Sequence, residues 1–341
     1  MVILKSRLIF LFFFVFLVLM VFYKIEANYF TPDEIFYLFS DSMLTDVTVA
    51  SRYKFVAYIF RFIYEYGEYI SLLIVNITIV WFVINKLSKS SNNNDVNYLI
   101  YGFLFPSVVF YASLFLRDFY VFILAMLFVY VRRGKHKLFF QWCIILAIGF
   151  LKIELAAIFM CAMFISRIKI SPFVIVYMFI ICVLTWFLAL HNQTLMGIYL
   201  NTLERFEPTV FSEYNTLFFG LQQMEPTPLN GAINIFFSYI NLLSPFLISW
   251  PSNTGNIFNV IMTVDSILFL GCIIIGVLGF NTKKYYSDDL YRLSIFVLLL
   301  SIIYGYFMVT PMTSLRMHIH FVPFAILFFM GSRFKICVRR Y

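Results

Sequence analysis

Charge is scarce in this 341-residue chain. Asp, Glu, Lys and Arg make up 12% of it, where a soluble domain carries about a quarter. Beside a hydrophobic share of 62%, that shortfall excludes a water-soluble globular protein. It also excludes intrinsic disorder, which needs low hydrophobicity and high charge. Proline (10) and glycine (13) are few, so the chain is neither collagen-like nor linker-rich. The apolar residues do not alternate with polar ones over ten-residue stretches, which excludes a transmembrane β-barrel. The five cysteines, Cys143, Cys161, Cys182, Cys272 and Cys337, show no metal-ligand spacing and read as small apolar packing residues.

What the chain has is Phe (45), Tyr (23) and long unbroken apolar runs. These predict an all-α, polytopic integral membrane protein, one domain over 1–341 with about ten transmembrane helices. The first run, Leu8 to Tyr23, follows Lys5 and Arg7 and is not followed by a small-residue cleavage motif, so it reads as a retained helix. Residues 24–68 form a polar outer loop, and Tyr69 to Ile84 returns the chain to a flexible inner loop at 90–95. The runs Tyr98–Val131 and Leu138–Ile165 exceed the roughly 20 residues of one crossing. Arg117-Asp118 and Lys152 with Glu154 split them into pairs of short helices. Residues 171–190 cross outward to a second outer segment, 191–256, in which 232–250 reads as an interfacial or re-entrant helix. The runs Ile257–Phe280, Leu293–Val309 and His320–Met330 complete the crossings.

Both termini then face the cytoplasm. In this threading 17 of the 25 Lys and Arg lie on the cytoplasmic side, as positive-inside bias requires. The net charge of +8 is thereby absorbed into inner loops, leaving no basic surface for nucleic acid. Of the 17 acids, 13 fall on or near the outer face. Acids contribute little to topology, so that excess points to function.

The strongest local pattern is Thr31-Pro32-Asp33-Glu34-Ile35-Phe36-Tyr37. Thr31 suits a helix N-cap, Pro32 the first turn, and acids are favoured there. A well-capped interfacial helix explains these residues. So does a carboxylate acting as general base on an acceptor hydroxyl in an outward cavity. Arg117-Asp118 and Lys152 with Glu154 read either as self-neutralising pairs at tight outer hairpins or as part of a wet cavity. In the second case Arg117, Lys152 and Arg316 bind a phosphate or diphosphate. Arg316 and His320, four apart, share a helix face. His318 and His320 point apart on a helix, so no metal site is expected. Asp265 is an isolated acid inside a late run.

Asp33-Glu34 with Tyr37 just past the first helix resembles the acidic first-loop motif of GT-C superfamily glycosyltransferases. Phe105-Pro106-Ser107 through Leu116-Arg117-Asp118, Leu151-Lys152-Ile153-Glu154, and Ser314-Leu315-Arg316-Met317 through Pro323-Phe324 are similar to further elements in the same order. The late element has Met317-His318 where the family often has Tyr-Arg. The resemblance implies a GT-C-like helix arrangement and an inverting transfer at the outer face of a bacterial inner membrane. The sugar or repeat unit moves from a polyprenyl phosphate or diphosphate to a lipid-linked or glycan acceptor, in O-antigen, capsule or other surface-polysaccharide assembly. Asp33 is then the base with Glu34 as helper or alternate. Tyr37, Arg117, Asp118, Lys152, Glu154, Arg316, His318 and His320 form the substrate and phosphate site. No cofactor is required, a divalent cation stays open, and the partners are membrane lipids and other polysaccharide-assembly proteins. A lipid-linked oligosaccharide flippase or other transporter is the alternative, although the internal repeat common in transporters is missing.

Overall fold

The computed structural model describes residues 2–27, 31–40, 44, 51–89, 94–132, 137–169, 177, 180, 214–216, 242, 249–251, 256–301 and 316–332. Where the sequence reads as one domain, the chain packs as two compact units, Met1–Phe159 and Met160–Tyr341.

In the first unit α1 (Val2–Ala27) is apolar on every side. Ile9, Phe13, Leu17 and Val21, at the i, i+4 spacing of one helix face, are buried, while Leu11, Phe12, Phe14, Phe16 and Phe22 stay exposed. The capped helix α2 (Pro32–Phe39) follows, then α3 (Ser51–Ser88), onto which α1 packs. Within α3 the helix breaks at Gly67 and Glu68, with Glu68 in the left-handed region at φ 51°. The break falls where the polar loop composition gives way to the apolar run, so 51–66 and 69–88 are separate limbs.

The run from Tyr98 divides at Arg117-Asp118 as expected. Its first limb is not one helix. A 3₁₀ segment (Tyr98–Leu104) is followed by the two-turn α5 (Pro106–Ala112), after a short α4 (Asn94–Asn97). Proline disfavours helical backbone in the residue before it, and Phe105 is extended at φ −72°, ψ 123°. Buried Asn76 of α3 donates to the Ala112 carbonyl at 2.6 Å, closing the end of α5. Helices α6 (Asp118–Val131), α7 (Lys137–Leu151) and α8 (Ile153–Ile165) follow, with the second division at Lys152.

The second unit contains β1 (Tyr214–Thr216) and β2 (Ser249–Pro251), paired antiparallel with Asn215 opposite Trp250. Ser249 and Trp250 were expected in a helix over 232–250. Pro251 has no N–H and favours extended backbone before it, so the chain enters a strand. This pair is the exception to an otherwise helical set of regular elements among the described residues. Helices α9 (Asn256–Leu278), α10 (Thr282–Ser287), α11 (Asp289–Leu300) and α12 (Val322–Gly331), the last preceded by a 3₁₀ turn at Ile319–Phe321, complete the unit. Buried Arg292 donates to the carbonyls of Ser166 (2.7 Å) and Tyr285 (2.9 Å).

Helices α9 and α12 pack closely. A Cβ at Gly276 would collide with Phe328 Cδ1, so Phe328 has to turn aside for any side chain there. Gly276→Ala is expected to cost about 1–3 kcal/mol through overpacking, visible as a lowered melting temperature in detergent.

Two stretches, Lys5–Glu26 and Ser51–Ser88, are long and apolar enough to cross a membrane. With 14, 15 and 13 residues, α6, α7 and α8 fall short of the roughly 20 that one crossing takes. Large apolar side chains stand exposed along α1, the second limb of α3, α7 and α9, including Ile70, Trp81, Leu146 and Ile267. Exposed apolar side chains of this kind are consistent with association with a membrane. The crossing expected over 171–190 lies outside the described residues except for Tyr177 and Ile180, and all of 302–315 lies outside them too.

Candidate functional site

The first turn of α2 is where sequence and structure agree most closely. Thr31 is extended at φ −73°, ψ 152° and accepts from the Glu34 N–H, while the Glu34 carboxylate accepts from the Thr31 N–H at 3.1 Å, a capping box. Glu34 is fully buried. Lys24, at the end of α1, donates to both its oxygens at 2.7 Å, and Thr31 Oγ1 and the Phe115 N–H (2.8 Å) donate as well. A carboxylate offers about four lone-pair sites, so these donors occupy Glu34 completely. Asp33, its neighbour, is half-buried and Tyr37 is buried. Sequence reading took Lys24 only as the edge of a loop. Its pairing ten residues on depends on the chain reversing between α1 and α2.

The Phe115 hydrogen bond fastens this acidic turn to the segment carrying Arg117 and Asp118. That segment is wired differently from expectation. Asp118 does not pair with Arg117, nor Lys152 with Glu154. Lys152 donates to Asp118 across the two helix breaks, and both are buried. Glu154 is exposed. Arg117 donates through Nη1 to the Leu151 carbonyl at 2.6 Å and lies 4.6 Å from the centre of the Tyr53 ring.

Arg117 also lines a groove of about 420 Å³ between α3, α6 and α7. Its remaining wall is almost wholly apolar, with Phe55, Ile59, Phe60, Phe150 and Leu151 prominent and Tyr120 beside them. Asp33, Glu34 and Lys152 are not on that wall. Phe60 forms the partition: its ring meets Tyr37 at 5.7 Å, Phe115 at 5.9 Å and Tyr120 at 6.0 Å. Arg61 donates to the carbonyls of Tyr37 (3.1 Å) and Ser40 (2.7 Å), fixing α2 on α3 from the other side. The expected cavity of several cations thus reduces, within this unit, to Arg117 at an apolar groove, with Lys152 withdrawn into an ion pair.

Beside Arg117 stands Arg52, which sequence reading passed over. It donates to the Tyr53 hydroxyl at 3.3 Å and lies 4.9 Å from the ring centre.

The late residues belong to the second unit. Arg316 is half-buried, and His318 and His320 are buried. His318 Nδ1 lies 2.9 Å from the Leu242 carbonyl, which can only accept, so that nitrogen carries the proton. Its Nε2 lies 3.1 Å from Asp265 Oδ2. The isolated acid of the sequence therefore has a histidine partner 53 positions away, a pairing that no helical spacing announces. Among the described residues, no three His, Cys, Asp or Glu side chains gather as a metal site. Comparison of the chain with protein-family models, with curated proteins and with solved structures finds no match.

Proposed function

We propose that this protein is an integral membrane glycosyltransferase. It takes a sugar or repeat unit from a polyprenyl-linked donor at the outer face of a bacterial inner membrane, in surface-polysaccharide assembly. In this reading it crosses the membrane about ten times, in the GT-C-like arrangement that the sequence motifs imply, with both termini cytoplasmic. One observation carries the proposal: the Phe115 N–H donates to Glu34. That bond holds the acidic turn against the segment whose Arg117 faces an apolar groove. The groove suits a hydrocarbon chain, and the guanidinium suits a phosphate by its planar, bidentate donor geometry.

Of the two adjacent acids, Glu34 has its lone pairs committed to Lys24, Thr31 and Phe115, and half-buried Asp33 is the one that the acidic-motif resemblance assigns as base. Asp33 takes the proton of the acceptor hydroxyl, whose oxygen bonds to the anomeric carbon. The bond from that carbon to the carrier phosphate breaks, its electron pair stays on the phosphate oxygen, and Arg117 offsets the charge that develops there. Single displacement inverts the anomeric centre.

Glycan analysis of cells carrying Asp33→Asn tests the proposal. Loss of the polysaccharide ladder at normal protein level is the expected outcome. A normal ladder sinks it. Failure of lipid-linked precursor to reach the outer face in Arg117→Ala cells, with transfer by other enzymes intact, would instead favour the flippase.

A further inference from the structure

Two donor classes fit the transferase reading: a sugar on a lipid monophosphate and a sugar on a lipid diphosphate. They differ by one charge. A glycosyl group on a lipid monophosphate is a phosphodiester with a single negative charge, whereas the diphosphate keeps two. Two cations stand around Tyr53 beside the groove.

Arg52 and Arg117 both stand over the ring of Tyr53, their Cζ atoms 4.9 and 4.6 Å from its centre. Like charges held on one side chain repel, and here no carboxylate pairs with either among the described residues. Ion pairs among those residues join Lys24 with Glu34 and Lys152 with Asp118. The Nε–H of each arginine is buried and meets no acceptor among the described residues. A buried donor without an acceptor is costly unless something else supplies one. Arg117 lines the apolar groove, and Arg52 lines an adjoining hollow that shares Phe55 and Phe150 with it. Among the described residues neither guanidinium meets a carboxylate, and beside a hydrocarbon-sized groove the two form the complement of a lipid whose headgroup carries two phosphate groups.

We infer that the donor is a lipid diphosphate and that Arg52 is the residue that selects it over the monophosphate. This rests on the transferase reading for its chemistry and adds the substrate class. Arg117, anchored on the Leu151 carbonyl at 2.6 Å, holds the phosphate bonded to the sugar or its neighbour, and Arg52 supplies the second pair of donors. Tyr53 spaces the two. In the transfer step the acceptor oxygen gives its proton to Asp33 and bonds to the anomeric carbon. The lipid diphosphate leaves with the electron pair and gains one negative charge, which the paired guanidiniums already face.

Direct binding to the purified full-length chain in detergent tests the assignment, with farnesyl diphosphate, farnesyl monophosphate and inorganic pyrophosphate as probes. Farnesyl diphosphate is expected to bind about tenfold or more tightly than the monophosphate, the increment of an added charged hydrogen-bonding group. Pyrophosphate, lacking the chain, is expected to bind far more weakly. Arg52→Ala should abolish the preference while monophosphate affinity holds, and Arg52→Lys should restore part of it. Equal affinity for the two lipids, or a preference unchanged in Arg52→Ala, overturns the assignment. Pyrophosphate binding as tightly as farnesyl diphosphate overturns its lipid half. Asp33→Asn should bind all three probes as the unsubstituted protein does. Loss of glycan in that variant without any diphosphate preference therefore leaves the transferase standing and removes only the diphosphate. A normal glycan with a clear preference does the reverse.

Discussion

Lys152→Met is expected to destabilise the first unit by about 3–5 kcal/mol, the cost of leaving one member of a buried ion pair without its partner. Asp118 is fully buried and opens α6, so loss of the Lys152 ammonium removes a positive charge that offsets its own where no solvent can replace it. The backbone at Lys152 would survive the change. Its N–H donates to Ile148 and its carbonyl accepts from Ala156, so the damage comes from the side chain alone. Replacing both partners, as Lys152→Met with Asp118→Leu, is expected to recover most of the loss, because two well-packed apolar groups can match a buried pair. Thermal unfolding of the three variants in detergent measures this. A Lys152→Met protein that melts with the unsubstituted one would show that the pair contributes nothing.

The adjacent acids Asp33 and Glu34 are expected to fail in opposite ways. Asp33→Asn keeps the side-chain shape and removes the base, so transfer per folded molecule should fall by about 10²–10⁴-fold, the range of general acid–base catalysis. In Glu34→Gln an amide replaces a carboxylate that receives only donors, from Lys24, Thr31 and Phe115. The new NH₂ group faces those donors, and the Lys24 ammonium, 3% exposed, loses its counter-charge. A loss of about 3–5 kcal/mol is expected, with the activity of surviving folded protein far less affected. Separating yield from turnover by normalising transfer to folded protein distinguishes the two. A Glu34→Gln protein of normal stability with abolished turnover would exchange the assigned roles.

The breaks at Arg117-Asp118 and at Lys152 were legible in the sequence, because charges inside apolar runs are costly and force a local solution. So was the start of α2, since Thr31, Pro32 and Glu34 occupy positions with strong local preferences. Phe105-Pro106 was legible as well, and its consequence for the first limb was underread: proline constrains the residue before it wherever it stands.

Which cation meets which acid was not legible. Sequence neighbours suggested Arg117 with Asp118 and Lys152 with Glu154, but the folded chain pairs Lys152 with Asp118, Lys24 with Glu34, and His318 with Asp265. The buried faces were hidden too. In α1, Phe13 and Phe14 are chemically the same residue, yet one is buried and the other exposed, because in an apolar surround both faces of a helix read alike. Local rules act through the backbone within a few residues, so composition and spacing by themselves decided that the chain is helical, where it breaks and that it belongs to a membrane. The arrangement of Arg52 and Arg117 around Tyr53, and the groove that Arg117 lines, depend on segments some 65 residues apart meeting. Only tertiary packing, through the burial of apolar faces from distant segments against one another, decided that.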